Sequence, residues 1–236
     1  MPTTIYGIGS GNFDDNNGYK SGTPISSVRN ATAYTALSDL PPAPVVHGKL
    51  AFGTLYVFRM LIAFDLSGES GTVTSADLKL TSARDITGFG TYLTYGSTHI
   101  CKINPSGATW GVGDMDSLDG WVSSGTYSGN VTEYATAFTN VEQTTHTVAL
   151  NSDAITDINS AVGSGNFNIC LVNSADFTYD TSTGGLGSPA GSGFFNGAGA
   201  RFKVSEDSTA GNRPQIELTY GTVTVTHNAN FFGSNF

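Results

Sequence analysis

Charge is scarce in this sequence, and positive charge most of all: only 12% of the 236 residues are charged, with 10 Lys or Arg against 19 Asp or Glu and a formal net charge of -9. Nucleic-acid binding needs clustered Lys and Arg to neutralise phosphates, so no nucleic-acid partner is expected. An anionic membrane surface is disfavoured on the same ground. Long apolar runs are missing too. The longest, LYVFRMLIAF over residues 55–64, is interrupted by Arg59 and falls well short of the roughly 20 residues that cross a bilayer as a helix. The two cysteines, Cys101 in THICKIN and Cys170 in FNICLVN, are too few for a disulfide scaffold. Both sit in strand-like runs, which favours buried thiols over a bridge. The opening MPTTIYGIGSGNFDDNN has neither a basic start nor an apolar stretch, so no secretory signal is expected. Such a chain works in the cytoplasm or leaves the cell by another route, such as inside an assembled particle.

Catalytic spacing is equally scarce. His47, His99, His146 and His227 are isolated from one another, without an HExxH, HxH or Cys/His pairing of the kind a zinc site needs. The sequence has no GxSxG element, and GGLGSPAG lies in a loop without the strand-then-helix setting of a phosphate cradle. Carboxylates are present, but glycoside hydrolysis needs a pair about 5–10 Å apart across a cleft, and solvated loop charge is the simpler account of them. No enzyme is expected, and no cofactor.

What the chain does have is alternation. Hydrophobic residues make up 39% of it, with 14 Phe and 30 Gly, a balance that suits many short strands joined by turns. RMLIAFDLS places Met60, Ile62, Phe64 and Leu66 on one face; VTSADLKLTSA places Val73, Ala76, Leu78 and Leu80 on one face, with a slip near Ser75 that predicts a strand start or bulge. HTVALN, FNICLVNSADF, ARFKVSED and PQIELTY behave alike. One helix is predicted, over 151–162, where Ala154, Ile155, Ile158 and Val162 recur at helical spacing behind an Asn/Ser/Asp cap region.

YVFRMLIAFDLSG followed by GTVTSADLKL resembles the opening of the jelly-roll domains called DNRLRE domains, which overlap with a carbohydrate-binding module family. VALNSDAITDINSAVGSGNFNICLVNSADF is similar to that family's segment in which a short helix precedes a strand ending in an Asp, and RFKVSEDSTAGNRPQIELTY to its closing strands. Variants with a segment like VRNATAYTAL upstream look like those encoded by bacteriophages and prophages. The resemblance implies an all-β jelly roll of two antiparallel sheets over residues 26–220, which leaves an N-terminal extension over 1–25 and a segment over 221–236 that reads as a C-terminal docking arm. It implies a virion structural protein, non-enzymatic, whose partners are other capsid or tail proteins and further copies of itself. The alternative is a carbohydrate-binding adhesion module on a virion or cell surface, with host glycans as ligands.

Four sets of residues follow as candidates. In GTVTVTHNANFFGSNF, Val223 and Val225 continue the alternation past the resembled domain. Phe231, Phe232 and Phe236 lie beyond them, each worth about 1.5–3 kcal/mol when buried, which suggests subunit docking. Trp110, Trp121 and Tyr127, with Tyr92, Tyr95 and Tyr134 nearby, could stack on sugar rings, although Trp in a sandwich also packs into the core. GDMDSLDG supplies Asp114, Asp116 and Asp119 as hard oxygen ligands for calcium. The third Asp falls one place late for an EF-hand, and the twelfth position is Gly125. Arg59 and Asp65, on one strand, are expected to form a partly buried structural ion pair.

Overall fold

Alternating residues become strands in the structure, a computed structural model that describes residues 2–8, 17–22, 25–29, 35–36, 43–50, 55–83, 92–94, 97–105, 112–114, 116–122, 125–127, 129–179, 195–205 and 207–221. In chain order the elements are β1 (Thr3–Ile8), β2 (Asn17–Gly22), α1 (Ile25–Arg29), β3 (Thr35–Ala36), β4 (Ala43–Leu50), β5 (Leu55–Asp65), β6 (Val73–Thr81), β7 (Tyr92–Thr94), β8 (Ser97–Lys102), β9 (Phe138–Thr139), β10 (Thr145–Ala149), α2 (Ser152–Ala161), β11 (Asn166–Asn173), α3 (Ser174–Phe177), β12 (Phe195–Phe202) and β13 (Gln215–Tyr220). The chain is an all-β sandwich, and among the described residues one helix, α2, is longer than five residues and lies where the helical spacing predicts it.

The main ladder runs β10-β6-β13-β1-β5-β11-β8-β9, and every pair along it is antiparallel. β2 and β4 extend the pairing of β5, and β12 pairs with β4. Off this ladder the pairing is antiparallel too, except that β12 and β7 run parallel. The long stretch of chain between them supplies the crossover a parallel pair needs.

β1 joins the two sheets. Its first part, Thr3 to Tyr6, pairs with β13, while Gly7 and Ile8 pair with β5. Residues 3–8 are therefore part of the sandwich and not an extension before it. The corner needs glycine: Gly7 N–H donates to Pro214 O at 2.7 Å, and a Cβ on Gly7 would lie 2.8 Å from Ile62 Cγ2, where a strand that switches sheets must bend against the core. On the opposite flank β9 ends one sheet, β10 ends the other, and residues 140–144 connect them.

Between the sheets, Met60, Ile62, Phe64 and Leu66 meet Val73, Ala76, Leu78, Leu80, Ile216 and Leu218, as the alternation predicts. The slip near Ser75 is a bulge: Thr219 pairs with Ser75 but Tyr220 with Val73, leaving Thr74 as the extra residue. The other face of β5, β11 and β8 is buried as well, with Leu61, Cys101, Cys170, Val172 and Phe177 in a second cluster. Burial on both faces explains why LYVFRMLIAF reads as a continuous apolar run and not as a clean alternation. The Asn151 side chain caps α2 by accepting from Asp153 N–H and Ala154 N–H, both at 3.1 Å. Asn159 then exchanges two hydrogen bonds with the backbone of Val73, pinning α2 to the start of β6. No helix among the described residues is long and apolar enough to cross a membrane.

Candidate functional site

Arg59 points from β5 into the second cluster, where a cation must find an anion or destabilise the fold. It finds Asp176, in the α3 turn that follows β11. Arg59 Nε donates to Asp176 Oδ2 at 2.8 Å and Nη2 to Oδ1 at 3.2 Å. Arg29, the last residue of α1, shares the same carboxylate, with Nε donating to Oδ1 at 2.9 Å. Its other nitrogens reach Asp176 O at 2.9 Å and Gly125 O at 2.8 Å. The side chains of both arginines are 0% exposed and that of Asp176 is 1% exposed. Tyr127 completes the arrangement: its hydroxyl accepts from Arg59 Nη2 at 2.9 Å, and the Arg29 guanidinium lies 4.1 Å from its ring centre and 4.7 Å from that of Tyr179. These groups are sealed from water and bond one another.

The expected Arg59–Asp65 pair does not form. Arg59 and Asp65 share a face of β5, but six strand positions separate them by about 20 Å. Asp65 instead lies exposed at the strand end and accepts from Ser67 N–H at 2.9 Å. Hydrogen bonding from Ser67 holds its carboxyl below the usual range. A usable signal for the true partner was present: Asp176 is a lone charge at the end of the apolar run FNICLVNSADF, as Arg59 is within LYVFRMLIAF.

The sugar-stacking expectation fails at Tyr127, which is 0% exposed beneath the two arginines. Trp121 is half-buried and sets its ring edge-on to Tyr127, 6.2 Å between centres, with its Nε1 buried and unpartnered. Trp110 lies outside the described residues. The three aspartates are not gathered into a calcium site: among the described residues no group of three or more His, Cys, Asp or Glu is placed to hold a metal ion. Asp114 is buried, while the carboxylate of Asp119 is occupied by Thr132 Oγ1 at 2.5 Å and Asn104 Nδ2 at 3.2 Å. Burial raises the Asp116 carboxyl above its ordinary range. Cys101 and Cys170 sit opposite each other on β8 and β11 as buried, unbridged thiols. Burial pushes Cys170 up to about 12 and Cys101 well up too, which makes both unreactive. Val223, Val225, Phe231, Phe232 and Phe236 lie outside the described residues.

Two surface features stand out among the described residues. A groove of about 450 Å³ opens beside α2 and the adjoining ends of β8 and β11, lined by residues that include Lys102, Asn104, Tyr134, Asp157, Asn166 and Asn168. Asp157 Oδ2 accepts from Tyr134 Oη at 2.6 Å and from Lys102 Nζ at 3.0 Å. Burial and the hydrogen bond to Asp157 raise the Tyr134 phenol far above its usual value, so it stays a neutral donor. Asn168 Oδ1 sits in the wall without a hydrogen-bond partner. The second feature is the outer edge of β10, a strand that pairs only with β6 among the described residues.

No protein-family model matches the chain, and no curated protein matches it. The likeness to DNRLRE domains therefore rests on the residues quoted for it.

Replacing Asp176 with Ala leaves two buried cations without their carboxylate and is expected to lower stability by about 3–5 kcal/mol. Urea unfolding measures this; a loss below about 1 kcal/mol would contradict the role assigned to Asp176.

Proposed function

We propose that the chain is a non-enzymatic structural protein of a bacteriophage virion, a capsid decoration, fibre or tail-associated subunit, that docks onto neighbouring subunits through a strand edge and its C-terminal segment. The observation that carries this reading is the β10 edge. Sheet edges are ordinarily blunted by Lys, Pro, bulges or a covering segment. β10 reads Thr145-His146-Thr147-Val148-Ala149, with no Lys, no Pro and an unbroken register against β6. Val141, just before it, is 54% exposed. An edge left in this state suits β-augmentation, in which main-chain hydrogen bonds supply affinity and side-chain pockets supply specificity. The phage-like variant of the resembled domain supports the virion setting. Purified particles analysed by mass spectrometry are expected to contain the protein in stoichiometric amount, and removing residues 221–236 to leave a folded protein that no longer assembles. Absence from particles, or unchanged assembly, would sink the reading.

The groove favours a second reading, a carbohydrate-binding adhesion module. Lys102 and Asp157 cancel in charge, and the surrounding amides and hydroxyls both donate and accept, which matches a neutral, hydroxyl-rich ligand. Asn166→Ala with Asn168→Ala is expected to abolish glycan-array binding without unfolding the protein. No binding of the unaltered protein to any glycan would remove this reading and leave the first intact.

A further inference from the structure

Resting on the docking reading, we infer that the β10 edge of one copy accepts residues 222–226 of a second copy as an added antiparallel strand. Three observations converge on that pairing. First, the edge is available: β10 makes its ladder with β6 alone among the described residues, and Thr145, Thr147 and Ala149 are exposed while Val148 is buried and His146 half-buried. Second, the segment after Gly221 reads Thr222-Val223-Thr224-Val225-Thr226, five uncharged β-branched residues against the five of β10. Third, the two patterns agree in phase. Setting Thr224 opposite Thr147 in antiparallel register puts Val223 opposite Val148 and Val225 opposite His146, on the face that turns inward. His146 already packs there, 4.9 Å from Phe138 and 6.5 Å from Phe202 between ring centres. The three threonines then meet Thr145, Thr147 and Ala149 on the outer face. A slip of one residue would put valine out and threonine in, so the hydrophobic pattern selects this register.

The donor has to be another copy. Gly221 N–H donates to Thr72 O at 2.9 Å, beside the start of β6. β13 is therefore two strands away from β10, and the added strand would be a third. Three strand spacings amount to about 14 Å, whereas one residue advances the chain by at most about 3.6 Å. Thr222 of the same chain cannot reach the place opposite Ala149 directly after Gly221. β13 and β10 also point the same way, each being antiparallel to β6, so the chain would have to reverse within that one step. A neighbouring subunit meets neither obstacle. Each subunit then donates one segment and accepts one, a head-to-tail contact that closes into a ring or extends as a filament.

Directly opposed residues in an antiparallel pair have Cα atoms about 4.5–5.5 Å apart, within reach of a disulfide. The test uses the full chain carrying Thr147→Cys mixed with a differently tagged full chain carrying Thr224→Cys, under mild oxidation. A disulfide-linked heterodimer is expected, and none when Thr74→Cys, an exposed position on β6, replaces Thr147→Cys. Absence of the heterodimer, or an equal yield from the Thr74→Cys control, overturns the inference. The docking reading fails separately: if deletion of 221–236 abolishes assembly yet no link to position 147 forms, the segment docks elsewhere and only the inference is lost. If the deletion leaves assembly unchanged, both are lost.

Discussion

One carboxylate holds the outer layer of this protein in place. Asp176 receives hydrogen bonds from Arg59 on the central strand and from Arg29 at the end of α1, all away from water. Burying such charges is costly, and only good geometry offsets the cost. Here both guanidinium groups bond the carboxylate, one also bonds the Tyr127 hydroxyl, and the other also bonds backbone carbonyls and lies over the rings of Tyr127 and Tyr179. The consequence is specificity of place: α1, the 125–127 segment and α3 have one way to cover β5. Val28 against Val57, with Tyr179 packed on them, and Leu61 with Cys170 and Phe177 fill the apolar surface around the charges.

That constraint divides the fold into a sheet with one covered face and a sheet with two. β6 and β13 alternate because only their inner side chains meet the core. β5 and β11 do not, because chain segments close over their outer side. Neither the sealed charges nor the buried thiols meet solvent. The β10 edge, which pairs with β6 alone among the described residues, and the groove beside α2 lie apart from both.

Local features were legible in the sequence because their causes are local. The β5 and β6 faces, the bulge at Thr74 and the Asn151-capped helix each follow from spacing within a few residues. What spacing does not carry is contact between distant parts of the chain. Arg59 bonds Asp176, 117 positions away, whereas Asp65 is the carboxylate that its own strand offers. β1 was hidden for a related reason. TTIYGI is short, and only its pairing with β13 and β5, with Gly7 at the corner, shows that it belongs to the domain. Tyr127 reads as a loop aromatic until the arginines that bury it are placed.

If Asp176 and its two arginines anchor the outer layer more than the sandwich as a whole, removing one arginine should loosen that layer most. Amide hydrogen exchange on the Arg29→Ala protein measures this most directly, since exchange resolves local from global opening. The account predicts the largest acceleration of exchange at Val28, Tyr127 and Tyr179, with β6 and β13 losing less protection. Uniform loss of protection across both sheets, or no change at Tyr127 and Tyr179, would contradict it.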